Sequence, residues 1–224
     1  MSVAVVLVSG GLDSAVTLAV AARDGHACIA LSFDYGQRHR IELSCAAAVA
    51  ARASVLDHRV VQIDAAALAG SALTGCGDVP RGRSEADIGT GIPDTYVPAR
   101  NLVMLAHATA IAETAGAHHV YIGANAVDYS GYPDCRGVFL DAFEQAANLA
   151  TRAGVEGAPL KVCAPLLDLP KADIITLGLE LGVDFSLTNS CYDPDPQGRA
   201  CGACDSCTIR SAGFKAAGVE DPRR

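Results

Sequence analysis

A glycine-rich loop near the start of the chain carries the residues best suited to bind phosphate. It is Ser9-Gly10-Gly11-Leu12-Asp13-Ser14, and it directly follows an apolar run typical of a buried strand. Glycine permits unusual backbone angles and close approach, so successive backbone N–H groups surround phosphate oxygens at the positive end of the following helix. The loop lacks the Gly-Lys-Ser/Thr ending of the kinase and GTPase P-loop, and transfer of a terminal phosphoryl group is therefore not predicted. The alternative is a strand-to-helix turn that binds nothing.

A second group of reactive residues is a set of four cysteines close to the C-terminus: Cys191, Cys201, Cys204 and Cys207. Four thiolates at loop spacing close a tetrahedral zinc site, whose predicted role is to fold a coil-rich segment. The alternatives are an iron–sulfur cluster, because Cys-x-x-Cys-x-x-Cys also begins the ferredoxin pattern, and unrelated reduced cysteines. The total of nine cysteines is odd and no export signal precedes them, which predicts reduced thiols and a cytoplasmic protein.

The elements that position these groups alternate along the chain. Apolar, β-rich runs predict strands at Val3–Val8, Cys28–Phe33, His58–Ile63, Val120–Ile122 and Leu160–Ala164. Alanine-rich periodic segments predict helices at Ser14–Arg23, Ile41–Ala53, Leu102–Thr114, Phe139–Ala153 and Lys171–Leu181. This alternation predicts an α/β fold with a doubly wound, parallel, five-stranded sheet that binds its ligand at the carboxyl ends of the strands.

Two irregular stretches interrupt the alternation, Ser71–Asn101 and Asn189–Cys207, and both are rich in Gly, Pro, Asp and Ser or Cys. Long irregular segments in compact domains are usually functional or disordered. We therefore expect a nucleotide-binding α/β domain over 1–188, a four-cysteine zinc-binding segment packed on it over 189–217, and a tail over 218–224, of which Glu220–Arg224 is expected to be frayed.

Composition narrows the class of ligand. The 224 residues carry 17 basic and 25 acidic side chains, a formal net charge of −8, which argues against a surface that follows long nucleic acids. The apolar run Val3–Val8 is too short to span a bilayer and has no basic flank, so neither a signal peptide nor a membrane anchor is predicted. Small molecules are the predicted partners, without nucleic acid or membrane.

Three further strings carry a resemblance to a known family. They are Phe33-Asp34-Tyr35-Gly36-Gln37-Arg38-His39, Pro98-Ala99-Arg100-Asn101, and Asp128-Tyr129-Ser130-Gly131-Tyr132-Pro133-Asp134-Cys135-Arg136. The phosphate loop resembles the PP-loop of the ATP pyrophosphatases, and together with the cysteines the set looks like 7-cyano-7-deazaguanine synthase. The resemblance runs from Val3 to about Gly213. Leu12 and Ala99 depart from it, because many family members have Gln and Gly there, and substrate identity is more open than reaction class.

The resemblance implies a fold of the adenine nucleotide alpha hydrolase-like, HUP type and a ligase that forms C–N bonds. Enzymes of the family convert 7-carboxy-7-deazaguanine and ammonia into the nitrile with ATP, through an adenylated carboxylate and an amide, in queuosine and deazapurine biosynthesis. It also implies ATP, Mg²⁺ and Zn²⁺ as cofactors and a homodimer. The source of ammonia and the final deazapurine product are left open by the sequence.

The resemblance also suggests roles for individual residues. Catalysis is assigned to Asp13, Ser14, Arg38, Arg100 and Lys171, the cations lying near the pyrophosphate or the adenylate. The nucleotide is assigned to Val8, Ser9, Gly10, Gly11, Leu12, Asp13, Ser14, Ala15, Val16, Thr17 and Leu18. The substrate is assigned to Asp128, Tyr129, Tyr132, Asp134 and Arg136, because carboxylates accept the paired N–H donors of a guanine-like base and tyrosines stack on its ring. Metal binding is assigned to the four clustered cysteines.

Three other functions compete with this one. An enzyme that adenylates a base in tRNA predicts a basic surface and an additional RNA-binding domain, and the net charge of −8 argues against it. A nucleotide sensor without catalytic activity predicts no ATP turnover. A variant enzyme that stops at the amide, or that uses an amine other than ammonia, predicts a different product mass.

Overall fold

A computed structural model describes residues 2–38, 40–84, 88, 91–125 and 131–223. Its centre is a sheet of five parallel strands in the order β3-β2-β1-β4-β5. The strands are β1 Ser2–Leu7, β2 His26–Asp34, β3 Asp57–Gln62, β4 His119–Tyr121 and β5 Lys161–Cys163. Each strand overlaps one of the predicted apolar runs, and the predicted parallel α/β fold is confirmed.

Seven α-helices lie among the described residues. They are α1 Leu12–Arg23, α2 Ile41–Arg52, α3 Arg100–Ala115, α4 Gly137–Ala150, the single-turn α5 Arg152–Val155, α6 Lys171–Glu180 and α7 Asp205–Ala216. The sequence did not predict α7 as a helix, because its apolar residues are few and show no clear helical period. The helix forms where Phe214 is buried and Arg210 is 8% exposed, so tertiary packing stabilises it.

The central strand β1 buries both of its faces. Val5 and Leu7 belong to an apolar cluster on the side of α3, whereas Ala4 and Val6 belong to a second cluster on the side of α1, α2 and α6. Side chains alternate between the faces of a strand, and a parallel strand covered by helices on both sides is therefore apolar throughout. This explains the uninterrupted apolar run at the start of the sequence.

The order of the strands places a cleft beside β1. The chain continues from β1 to β2 on one side and returns to β4 on the other side, so the connections leave β1 in opposite directions. In open parallel sheets the carboxyl ends of the strands form a ligand crevice at this point. The phosphate loop follows β1 and the residues 122–125 follow β4, and both lie at this end of the sheet.

The C-terminal tail is attached to the body through α7. The guanidinium of Arg210 donates to both carboxylate oxygens of Asp221 at 2.8 and 2.9 Å, and it also donates to the Thr188 hydroxyl at 2.9 Å. Both partners of the ion pair are largely buried. Residues near the end of the predicted tail are thus fixed by a buried charge.

No helix in the described parts of the chain has the length and apolarity needed to cross a membrane.

Candidate active site

The phosphate loop is fixed between the end of β1 and the first turn of α1. Gly10 has a φ of +88°, and a Cβ at this position would lie 2.2 Å from the carbonyl oxygen of Glu42 and 2.8 Å from the backbone nitrogen of Ala46. Only glycine therefore fits. Asn189 donates its backbone N–H to the Gly10 carbonyl oxygen at 2.9 Å. The loop is held between α2 and the segment that leads to the cysteine cluster.

The two serine hydroxyls of the loop bond to its own backbone. The Ser14 hydroxyl donates to the Gly11 carbonyl oxygen at 2.9 Å and accepts from the Ser9 N–H at 3.2 Å. The Ser9 hydroxyl accepts from the Gly11 N–H at 3.2 Å. These donors stand at the N-terminus of α1, where the helix dipole attracts anions. We call this loop the anion cradle: its donors bond to the loop's own oxygens here, and a bound anion would accept them instead.

Asp13 and Lys171 form an ion pair beside the loop. The Lys171 Nζ atom lies 2.7 and 2.8 Å from the two carboxylate oxygens of Asp13, and the side chains are 14% and 27% exposed. Gly213 of α7 leaves room for the lysine stem, because a Cβ there would lie 2.4 Å from the Lys171 Cγ. The ion pair therefore places a carboxylate, which suits a divalent cation, next to an ammonium, which suits a phosphate.

A cavity of about 230 Å³ extends from the loop into the molecule. Its lining comes from the phosphate loop, β2 and the turn after it, α2, α3, the residues after β4, α6, and the cysteine segment with α7. Of the eleven residues predicted to bind nucleotide, those that line it are Val8, Ser9, Gly11, Leu12, Asp13 and Ser14. Gly10 shapes the loop from behind, and Ala15–Leu18 lie buried in α1. The cavity is thus bounded at one end by the anion cradle.

Arg100 is the cation at the other side of this cavity. It is partly buried, lines the cavity, and lies close enough to the Tyr35 side chain to interact with it electrostatically. Burial opposes its charge, but Tyr35 and Cys135 beside it outweigh that effect and raise the pKa of the guanidinium. Among the ion pairs between described residues none involves Arg100. The site therefore presents a charged guanidinium to an incoming anion.

Asp134 occupies a structural position at the start of α3. Its Oδ2 accepts the backbone N–H of Asn101 at 2.8 Å, and its carbonyl oxygen accepts from the Asn101 amide at 3.1 Å. The same amide lies 3.1 Å from the Cys135 sulfur. Asp134 is not among the residues that line the cavity. The sequence assigned this carboxylate to the substrate, whereas the structure uses it to hold the helix that carries Arg100.

The remaining predicted residues fall in three places. Tyr132 lines the cavity, and its hydroxyl lies 2.9 Å from that of Thr95. Arg38 and Arg136 do not line it, because they are directed to the carbonyl oxygens of Gly77 and Pro133 respectively. Asp128 and Tyr129 lie outside the described residues. The structure therefore brings Asp13, Ser14, Arg100, Lys171 and Tyr132 to one cavity. The other two arginines predicted for the site, Arg38 and Arg136, lie away from it.

Several lining residues were not assigned a role from the sequence: Tyr35, Gln37, Glu42, Asn101, Cys135, Ser190, Tyr192, Ser206 and Arg210. Tyr35, Gln37, Asn101 and Cys135 belong to the strings that carry the family resemblance, and this was the signal that could have identified them. The residues from the cysteine segment and α7 gave no such signal, because nothing local shows that this segment folds back against β1. Folding of the whole chain creates that wall of the cavity.

The four cysteines form a compact sulfur cluster. Their Sγ atoms all lie within 4.8 Å of one another. Backbone N–H groups point at the sulfurs, since Cys191 Sγ accepts from Cys201 at 3.2 Å and Cys201 Sγ accepts from Cys204 at 3.4 Å. Hydrogen bonds among three of the thiols lower the pKa of Cys204 and raise the pKa of Cys191 and Cys207. Four sulfur atoms at these distances form a donor set that fits a tetrahedral soft or borderline metal ion.

Two solved structures share this fold. The NMN synthetase from Francisella tularensis aligns with a TM-score of 0.51 and 19% identity over 98% of this chain and 78% of that one. A predicted subunit of tRNA methyltransferase from Methanocaldococcus jannaschii aligns with a TM-score of 0.51 and 15% identity over 100% of this chain and 91% of that one. At such identities the likeness concerns the fold alone.

Sequence relatives give the family. A protein named 7-cyano-7-deazaguanine synthase from Myxococcus xanthus is 58% identical over 221 residues, 99% of this chain and 96% of the relative. One of the same name from Paramagnetospirillum magneticum is 55% identical over 222 residues, 99% of this chain and 98% of the relative. A family model described as queuosine biosynthesis protein QueC matches residues 3–218. This chain belongs to the QueC family.

Proposed function

We propose that this protein is a 7-cyano-7-deazaguanine synthase, a ligase that converts 7-carboxy-7-deazaguanine and ammonia into the nitrile at the expense of ATP. The observation that carries the proposal is one cavity in which an anion cradle, the Asp13–Lys171 pair and the charged Arg100 converge. The names of relatives at 55% and 58% identity support the choice of substrate. The cavity supplies the positions that adenylation of a carboxylate needs.

The first step activates the carboxylate. A carboxylate oxygen attacks the α-phosphorus of ATP, the bond to the bridging α–β oxygen breaks, and pyrophosphate leaves. Negative charge builds on the leaving phosphates, so the loop N–H groups and Lys171 stabilise the transition state more than the ground state. Asp13 would hold Mg²⁺, which supplies charge neutralisation on the phosphates. Arg100 holds the carboxylate in place before it reacts.

The second step forms the C–N bond, and a repeat of the first step follows. Ammonia attacks the acyl carbon, AMP leaves with the acyl oxygen, and a proton is released to give the amide. The amide oxygen then attacks a second ATP, and pyrophosphate and a proton leave. Loss of AMP and the last N–H proton gives the nitrile. Both activations use an oxygen on the same carbon, so one cradle and one cation serve twice.

The sulfur cluster completes the proposal. Cys191, Cys201, Cys204 and Cys207 would hold Zn²⁺, because four sulfurs within 4.8 Å suit its tetrahedral preference. A closed site of this kind contributes folding energy and offers no position to substrate. Metal analysis distinguishes it from the iron–sulfur alternative, which also absorbs visible light. We further propose a cytoplasmic homodimer, to be checked by fractionation and by light scattering.

The proposal is tested by product analysis. Purified protein is incubated with Mg-ATP, ammonium and 7-carboxy-7-deazaguanine, and the products are identified by mass spectrometry. We expect AMP, pyrophosphate and the nitrile, with two AMP per nitrile. Accumulation of amide without nitrile would keep the adenylation and deny the second activation. Absence of AMP with this substrate would refute the proposal.

A further inference from the structure

Tyr192 brings an aromatic ring into the cavity directly from the sulfur cluster. It follows Cys191 in the sequence, and it lines the cavity together with Tyr132. The two phenol oxygens lie 3.5 Å apart, although the residues belong to different segments of the chain. The cluster and the cavity therefore meet at Tyr192, as they do at Ser190 and Ser206, and Tyr192 is the aromatic residue of the three.

The backbone around Tyr192 is bonded to the sulfur atoms. Tyr192 lies between Cys191 and Asp193, and the Asp193 N–H donates back to Cys191 Sγ at 3.4 Å. Because thiolates accept such bonds from fixed directions when a metal holds them, the position of Tyr192 follows the geometry of the metal site.

The opposite wall is fixed by contacts of its own. The Tyr132 hydroxyl lies 2.9 Å from the Thr95 hydroxyl, and the Tyr132 ring stacks on Tyr96 with 6.2 Å between ring centroids. Tyr132 is also close enough to Arg100 to contribute to its electrostatic environment. A flat ring whose carboxylate reached Arg100 would therefore lie beside Tyr132.

We propose that Tyr192 contacts the deazapurine ring of the substrate, that it forms an aromatic cleft with Tyr132, and that the metal site sets its position. This inference rests on the proposed function. A phenol offers an apolar face to a flat heterocycle and a polar tip to its edge, with few rotatable bonds to order. The cysteine segment thus supplies a substrate contact as well as folding energy.

Two variants test the contact. Tyr192→Leu removes the ring, and Tyr192→Phe is the matched control that keeps it. We expect Y192L to raise the KM and the Kd for 7-carboxy-7-deazaguanine by about tenfold or more, as loss of one stacked ring does. The KM for ATP and the metal content should remain within about twofold of wild type. Y192F should stay within about threefold for all of them.

Each other outcome overturns the inference in a recognisable way. A rise in the KM for ATP alone would assign Tyr192 to the nucleotide. Unchanged constants in Y192L would leave the proposed function intact and remove this contact. Loss of metal from Y192L would make the residue structural. If the wild-type protein releases no AMP with this substrate, the proposed function and the inference fail together.

The link to the metal has a test that does not depend on activity. The protein is prepared with Co²⁺ in the sulfur cluster, and its ligand-field absorption is recorded while 7-carboxy-7-deazaguanine is added without ATP. We expect the bands to shift with a midpoint equal to the Kd, because substrate moves Tyr192 and with it the adjacent Asp193 N–H, which bonds to Cys191 Sγ. The shift should persist in Y192F and disappear in Y192L at concentrations that saturate wild type. Bands unaffected by substrate in wild type would overturn the link.

Discussion

Lys171 lies 2.7 and 2.8 Å from the Asp13 carboxylate, although the two residues are 158 positions apart. The sequence predicted a role for each of them separately, one from the phosphate loop and one from the family resemblance. Their pairing has no local signal, because it depends on α6 lying across the start of α1. The sequence therefore predicted which charged residues lie at the site. It did not predict that Lys171 and Asp13 pair with each other before a ligand binds.

Lys171→Met removes the ammonium and keeps most of the stem. We expect the rate of AMP formation to fall by about 10²- to 10³-fold, because one preorganised donor to a developing anion is lost. The measurement is AMP release by chromatography at saturating ATP. Lys215→Met is the matched control, because Lys215 is exposed on α7. AMP formation by K171M at the rate of K215M would show that another cation stabilises the leaving pyrophosphate.

Asp134 has a structural role at the start of α3, and variants of it can distinguish this role from the substrate contact that the sequence suggested. Its Oδ2 accepts the Asn101 N–H at 2.8 Å, so Asp134→Ala should lower the free energy of unfolding by about 1–2 kcal/mol, as loss of a helix cap does. Asp134→Asn keeps an acceptor and should restore most of this stability and the activity. Urea unfolding and KM measurements check both. A D134N protein that is stable but no longer binds substrate would return the carboxylate to the guanine edge.

At the scale of elements, the two irregular segments, predicted to be functional or disordered, contact each other. Arg81 pairs with Asp193, Gly82 donates its N–H to the Ala203 carbonyl oxygen at 2.9 Å, and Arg83 lies 3.1 Å from Asp205. The sequence showed that both segments break the strand and helix pattern. It could not show their contact, because ion pairs between distant loops leave no periodic signal.

Arg83→Ala breaks the more buried of these pairs. The Asp205 carboxylate is 8% exposed and would lose a charged partner, so we expect unfolding free energy to fall by about 1–3 kcal/mol. Chemical denaturation measures it. Arg152→Ala is the control, because its pair with Glu156 is exposed at the end of α5 and should contribute only about 0.3–0.5 kcal/mol. Equal losses in the two variants would argue that the segments are not held by Arg83.

The starts of the strands make stability depend on pH. Burial, His26, Lys161 and His118 lower the pKa of His119, whose ring lies 4.6 Å from that of His26. The folded protein thus binds a proton at His119 less readily than the unfolded chain does. The contribution of His119 to stability is therefore fully present above the unfolded pKa of about 6.5, and it is lost as the pH falls below that value. His119→Gln should weaken this acid loss between about pH 7 and 5 in urea titrations. An unchanged dependence of the unfolding free energy on pH in the His119→Gln protein would contradict this prediction. His107→Gln, at an exposed position, is the control.

At the scale of the whole molecule, the cavity exists only where the sheet, the two irregular segments and α7 come together. Strand order places the phosphate loop at the switch point, and this much follows from the alternation of elements. The wall made by Ser190, Tyr192 and Ser206 follows from the path of the cysteine segment, which composition alone does not determine. The sequence therefore predicted the phosphate-loop side of the site better than this wall, which forms the cover of the cavity.

The sulfur cluster joins that cover to the core, because Cys191, Cys204 and Cys207 pack with the apolar residues on the α3 side of the sheet. The second apolar cluster, around α1 and α6, contains none of the four clustered cysteines. We expect Cys204→Ser to lose the metal, to melt at lower temperature and to lose substrate binding, while its far-UV circular dichroism still shows a folded sheet. Cys76→Ser, at an exposed cysteine outside the cluster, should change none of these. A C204S protein that loses its metal and still binds substrate with wild-type affinity would show that the cover forms without the metal.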